Sequence, residues 1–202
     1  MSEVKIIALF IVTGLLIGWF MHGRSSRTLT SIMKRLAAEK NGVLVSGTFL
    51  RLPKLILSHN GKEMEVSAAS SGKEGSSPYT YVLFGNVESA GLEFRILPKS
   101  AQTVIDNALG LKKAVLTGHP PLDKYLSIYT NDEDALGALL SEGVQQAILG
   151  WVKKNRNRIQ DIRNDDDKLI FCVDGILSDT ADLRRLIDGA CLLYDELAKL
   201  RV

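Results

Sequence analysis

Cysteine is scarce in this chain: Cys172 and Cys191 are the only two among 202 residues. A disulfide-dense scaffold is excluded by that number, although the sequence leaves open whether the two pair. Histidine is almost as rare. His22, His59 and His119 lie far apart, and no His/Cys spacing suits zinc. No phosphate-cradling loop is present, because Gly72-Lys73 is followed by Glu74 rather than Ser or Thr. Neither a nucleophile elbow nor a dinucleotide fingerprint occurs, so no cofactor is expected. The net charge of +2 lacks the basic surplus of a dedicated nucleic-acid binder. Internal repeats and long linkers are missing as well.

What the chain does have is one long uncharged run. Ile6 to Met21 is almost wholly apolar, with Lys5 before it and Arg24 and Arg27 after it. As a helix its 16 residues rise about 24 Å, against ~30 Å of bilayer hydrocarbon. Outward-reaching Lys5 and Arg24 extend that span. No small-x-small cleavage pattern follows, since the next residues are His22, Gly23 and Arg24. The sequence therefore predicts an uncleaved, single-pass transmembrane anchor over residues 1–23. Arg24, Arg27, Lys34 and Arg35 outnumber Lys5, so the domain after the anchor is expected to face the cytoplasm. Gly14 and Gly18 have the spacing that lets two membrane helices approach closely. They suggest a partner in the bilayer, either another membrane protein or a second copy.

Charge is unevenly spread. Residues 23–130 hold 14 Lys/Arg against 8 Asp/Glu, whereas residues 131–202 hold 10 against 14. A basic half next to the anchor suits an anionic leaflet, with Arg24, Arg27, Lys34 and Arg35 as membrane-surface contacts.

Hydropathy patterning gives an α+β domain over residues 24–202. Leu29, Ile32, Met33, Leu36 and Ala37 form one face of a juxtamembrane amphipathic helix (24–41), stopped at Asn41-Gly42. An antiparallel β-meander is expected over 42–98. Its strands are Val43 to Phe49, Leu55 to Ser58, Met64 to Ser67, Tyr79 to Phe84 and Leu92 to Leu97, with a hairpin at Asn60-Gly61. Residues 99–202 mix helices and short strands. Gln102 to Leu111 reads as a helix and Tyr125 to Tyr129 as a strand. Asn131 and Ser141 are placed to cap successive helices, the second of which shares Val144, Ile148, Trp151 and Val152 on one face. Short strands are expected at Ile159 to Ile162 and Leu169 to Val173, around the Asp165-Asp166-Asp167 turn. A final helix starts near Asp179 or Thr180 and carries Leu183, Leu186, Ile187, Ala190, Tyr194 and Leu197 inward.

Candidate chemistry is thin. Asp165-Asp166-Asp167 lacks the spaced ligands, turn glycine and closing Glu of a calcium loop, so it reads as a solvated hairpin tip. His119 and Asp123 are the least implausible acid/base pair, in a segment whose Pro120-Pro121 favours an extended or turning backbone. That segment, Thr117-Gly118-His119-Pro120-Pro121-Leu122-Asp123-Lys124-Tyr125 with Ile128, Asn131 and Leu139-Leu140-Ser141, resembles a pattern in uncharacterised bacterial membrane-anchored proteins. Here His119 replaces an acid and Leu122 an aromatic. The resemblance covers about a quarter of the chain, and implies a bacterial origin and a shared module without an activity. The function expected from the sequence is an interaction or accessory subunit of a larger membrane complex. A membrane-tethered enzyme at His119/Asp123 and an anionic-lipid-binding module are the alternatives.

Overall fold

The computed structural model describes residues 27–48, 52–69, 77–99, 114–155 and 159–200. Helix α1 covers 27–39 and ends as the sequence predicts. Asn41 adopts a left-handed φ of 52° and Gly42 N–H donates to Ala37 O at 2.8 Å. A Cβ on Gly42 would lie 2.8 Å from the backbone oxygen of Ile56 and crowd the Leu57 side chain, so glycine is what lets the chain pass so close to the sheet.

The strands are β1 (Val43–Val45), β2 (Lys54–His59), β3 (Lys62–Ala69), β4 (Tyr79–Phe84) and β5 (Phe94–Pro98), then β6 (Leu126–Thr130), β7 (Ile159–Asp165) and β8 (Lys168–Asp174). Helices α2 (Pro120–Tyr125), α3 (Glu133–Leu139) and α4 (Glu142–Asn155) flank β6, and α5 (Thr180–Lys199) follows β8. The Asn60-Gly61 hairpin between β2 and β3 forms as expected, with φ of 48° and 76°.

The α+β class holds, but the sheet is larger than the expected five-strand meander. It has eight antiparallel strands in the order β1-β2-β3-β4-β8-β7-β5-β6. The β7–β8 hairpin slots between β4 and β5, separating two strands that follow one another in sequence. Leu169 to Val173 pairs with β4 on one side and β7 on the other.

The N-terminal membrane-spanning helix of the expected architecture is corrected here. Among the described residues no helix is long and apolar enough to cross a membrane. The 20-residue α5 is amphipathic: Asp182, Arg184, Arg185, Asp188 and Asp195 interrupt the buried series Leu183, Leu186, Ile187, Ala190, Tyr194 and Leu197. The run 6–21, with Gly14, Gly18 and Arg24, lies outside the described residues, as does the helix expected at Gln102 to Leu111.

Among the described residues, helices pack against one face of the sheet; on the other face Leu97, Ser127 and Tyr129, at the β5–β6 end, are buried as well. Leu29, Met33 and Leu36 of α1, Trp151 of α4 and Leu186 of α5 join Leu55, Val82, Phe171 and Ile162 of the strands in one core. Ion pairs Arg184–Glu39 (2.7 Å) and Lys40–Asp188 (3.1 Å) tie α5 to α1. Being exposed, such pairs contribute little; the buried apolar stripe of each helix holds the layer.

Two local expectations are revised. Pro120 and Pro121 open the short helix α2 rather than an extended stretch, because proline tolerates the first helical turn. Asp132, not Asn131, caps α3 by accepting from Ala135 N–H at 3.0 Å. Asn131 instead bridges to the loop before β5, accepting from Glu93 N–H and donating to Gly91 O.

Candidate functional site

Alternation along the strands places a second set of side chains on the face away from the helices. Two adjacent rows can be read from the register. In one, Leu83 of β4 lies opposite Ile170 of β8, which lies opposite Arg163 of β7, which lies opposite Arg95 of β5. In the next, Tyr81 lies opposite Cys172, and Cys172 opposite Asp161. A bulge between Ile159 and Asp161 turns Gln160 toward the same face. Bulges of this kind re-aim side chains next to binding sites. The result is a groove of about 570 Å³ whose lining includes Tyr79, Tyr81, Leu83, Leu97 and Ile170 as well as the charged cluster. Its size falls within the range of small-ligand sites.

Like charges directly opposed across two strands repel modestly, and an anion beside the Arg95–Arg163 pair offsets this. Asp161 supplies one. Arg95 Nε and Nη2 both donate to its carboxylate at 3.0 Å, and Arg163 Nη1 donates at 3.3 Å. Burial raises the Asp161 carboxyl above its ordinary value, while Arg95 and Arg163 pull it down. Beyond this, Arg163 Nε is buried without a hydrogen bond, its nearest carboxylate being Asp165 at 3.5 Å. Tyr81 donates to Glu65 at 2.6 Å, and Lys54 reaches the other Glu65 oxygen at 2.8 Å. Burial first, then the Glu65 contact, pushes the Tyr81 phenol up. The Cys172 thiol donates to Gln160 Oε1 at 3.1 Å, and burial, then Asp161 and Asp174, raises it too. Neither group is set up as a nucleophile or base; the cluster is built to hold charge in place.

The residues singled out by sequence lie elsewhere. His119 immediately precedes α2 without capping it through its side chain, and its ring meets the Gln145 amide at 3.0 Å. Asp123 accepts from both the N–H (3.0 Å) and the hydroxyl (2.8 Å) of Thr117. The two side chains thus bond to different partners, and Asp123 secures the turn before the helix. Arg27, Lys34 and Arg35 all lie exposed on α1, on the side opposite Leu29, Ile32, Met33 and Leu36. Asp166 and Asp167 form the exposed β7–β8 turn at φ of 47° and 57°. Cys172 and Cys191 are free and lie on opposite sides of the sheet, Cys191 on α5 beside Met64.

Sequence reasoning missed the groove. The signal was present in Tyr79 to Phe84 and Leu169 to Val173, which carry apolar or aromatic residues on both faces although the described helices cover just one.

No family model matches the chain, and no curated protein matches it. Among solved structures it is similar to the mycobacterial trehalose monomycolate transport factor A, TtfA. The TM-score is 0.53 at 11% identity, over 86% of this chain and 94% of that one. The likeness is one of fold.

Proposed function

We propose that the chain is an accessory subunit of a larger membrane complex, acting by binding rather than catalysis, with the open face of its sheet as the working surface. The observation that carries this reading is the sheet as its described residues build it: the described helices pack against one face, and the other presents aromatic, aliphatic and arginine side chains around a groove. The structural neighbour's own description as a transport factor accords with a supporting role.

The test is complementation of a strain lacking the chain. Leu83→Glu places a charge in the groove, while His119→Ala with Asp123→Ala removes the only sequence-designated acid/base pair. The reading expects the first to abolish complementation at normal abundance and the second to leave it intact. The reverse pattern would sink it and favour an enzyme.

A second reading, contact with anionic lipid, is favoured by the exposed Arg27, Lys34 and Arg35, which have no ion pair among the described residues. Each basic residue at such a surface contributes about 1 kcal/mol at low salt. The triple Gln variant of the full chain should then lose salt-sensitive binding to anionic vesicles; binding indifferent to salt or lipid charge excludes the idea.

A further inference from the structure

The geometry points to an anionic amphiphile as the ligand of the open-face groove, its carboxylate or phosphate held by Arg95 and Arg163 and its apolar part lying over Ile170, Leu83 and the Tyr79–Tyr81 pair. This rests on the reading of that face as the working surface, and names its occupant.

The charged end is defined by what Asp161 leaves undone. Its carboxylate engages Arg95 Nε and Nη2 and Arg163 Nη1. Arg95 Nη1 and Arg163 Nη2 have no bond among the described residues, and Arg163 Nε is a buried donor without a hydrogen bond. Two guanidinium groups opposite each other, sharing one groove-lining carboxylate, leave the lining one positive charge in excess. Asp165 approaches Arg163 from outside the lining and is half exposed, so solvent screens it. Arginine arms fixed by a neighbouring carboxylate are pre-organised for carboxylate or phosphate, because the planar fork no longer has to be ordered on binding.

The apolar end follows from the register. Beyond Arg163 the same row continues through Ile170 and Leu83, and the adjacent rows supply Tyr81 and Tyr79, whose rings lie 6.1 Å apart. From β7 to β3 spans three strand spacings, about 14 Å at ~4.8 Å each. A ligand with one anionic end and a flexible apolar body fits this polarity; a dianion or a sugar would leave the Leu83/Ile170 half of the groove unused.

Cys172 lines the groove and Cys191 does not, so the two thiols serve as reporter and internal reference. On the full chain, the rate of Cys172 alkylation relative to Cys191 is measured with octanoate, octyl phosphate, octyl glucoside and octylammonium. These probes share a tail and differ in the head. The inference expects octanoate, octyl phosphate or both to protect Cys172, at concentrations about tenfold lower than the neutral and cationic probes require. Protection by octanoate identifies a simple carboxylate amphiphile, and protection by octyl phosphate alone identifies a phosphate head group. Arg163→Gln should reduce the anions to the level of octyl glucoside, with an unchanged urea midpoint showing that the fold survives. Leu83→Glu should repel both anions. Equal protection by all four probes, or none by either anion, overturns the inference. If Leu83→Glu still abolishes complementation in that case, the working surface stands with a different occupant.

Discussion

Removing Arg95 and removing its partner Asp161 should have very unequal effects. The two side chains are 24% and 15% exposed, and the short carboxylate reaches water less easily than the long guanidinium arm. Arg95→Met leaves it buried with only the 3.3 Å contact to Arg163. Breaking a fully buried pair from one side costs about 3–5 kcal/mol; the surviving contact and residual exposure bring this to about 2–3 kcal/mol. For a domain of this size that lowers Tm by about 4–12 °C. Asp161→Asn instead leaves two long guanidinium groups that can turn toward solvent, and should cost less than about 1 kcal/mol. The pH dependence follows from the raised carboxyl. A carboxyl whose value is raised on folding favours the folded state while protonated, and this contribution is lost as pH rises through that value. Without Arg95 the value rises further, so the deficit of Arg95→Met should grow as pH rises past the wild-type folded value, itself above the ordinary 3.8, and shrink on acidification. Urea unfolding of both variants across that range tests the reasoning. Equal costs, or a deficit of Arg95→Met that is flat with pH, refute it.

Three other outcomes are expected. Trp151→Ala removes a fully buried ring from the core beneath α4 and should cost about 3–5 kcal/mol in urea unfolding. Gly61→Val should cost about 1–2 kcal/mol, measured the same way; a Cβ there meets no atom, so the penalty is the φ of +76° alone. Burial raises both thiols, Cys191 to about 12, so alkylation of the native chain at pH 8 should be far slower than in denaturant; mass spectrometry reads this directly.

Much of the fold was legible because its signals are local. The Asn60-Gly61 turn, the stop at Asn41-Gly42 and the inward stripe of α5 each follow from a few adjacent residues. Neighbour relations were not legible. Nothing in Phe94 to Pro98 states that it pairs with β7 rather than β4, because alternation fixes which face a residue takes but not which strand lies beside it. The apolar run Leu169 to Val173 did hold a clue, since a strand apolar on both faces belongs at the centre of a sheet. The groove assembles residues 69 to 172, and its charges come from two segments that are separate in sequence, Arg95 on β5 and Asp161 with Arg163 on β7. His119 stood out in the sequence because its surroundings are unusual, yet those surroundings build a turn and a helix start.

The central claim is that the open face of the sheet is where this chain binds. Photo-crosslinking in living cells tests it most directly, with a benzophenone side chain placed at Leu83 on the open face or at Ala181, exposed on α5. The account predicts a specific adduct from position 83 and none from position 181. An adduct from position 181 with none from position 83 would contradict it.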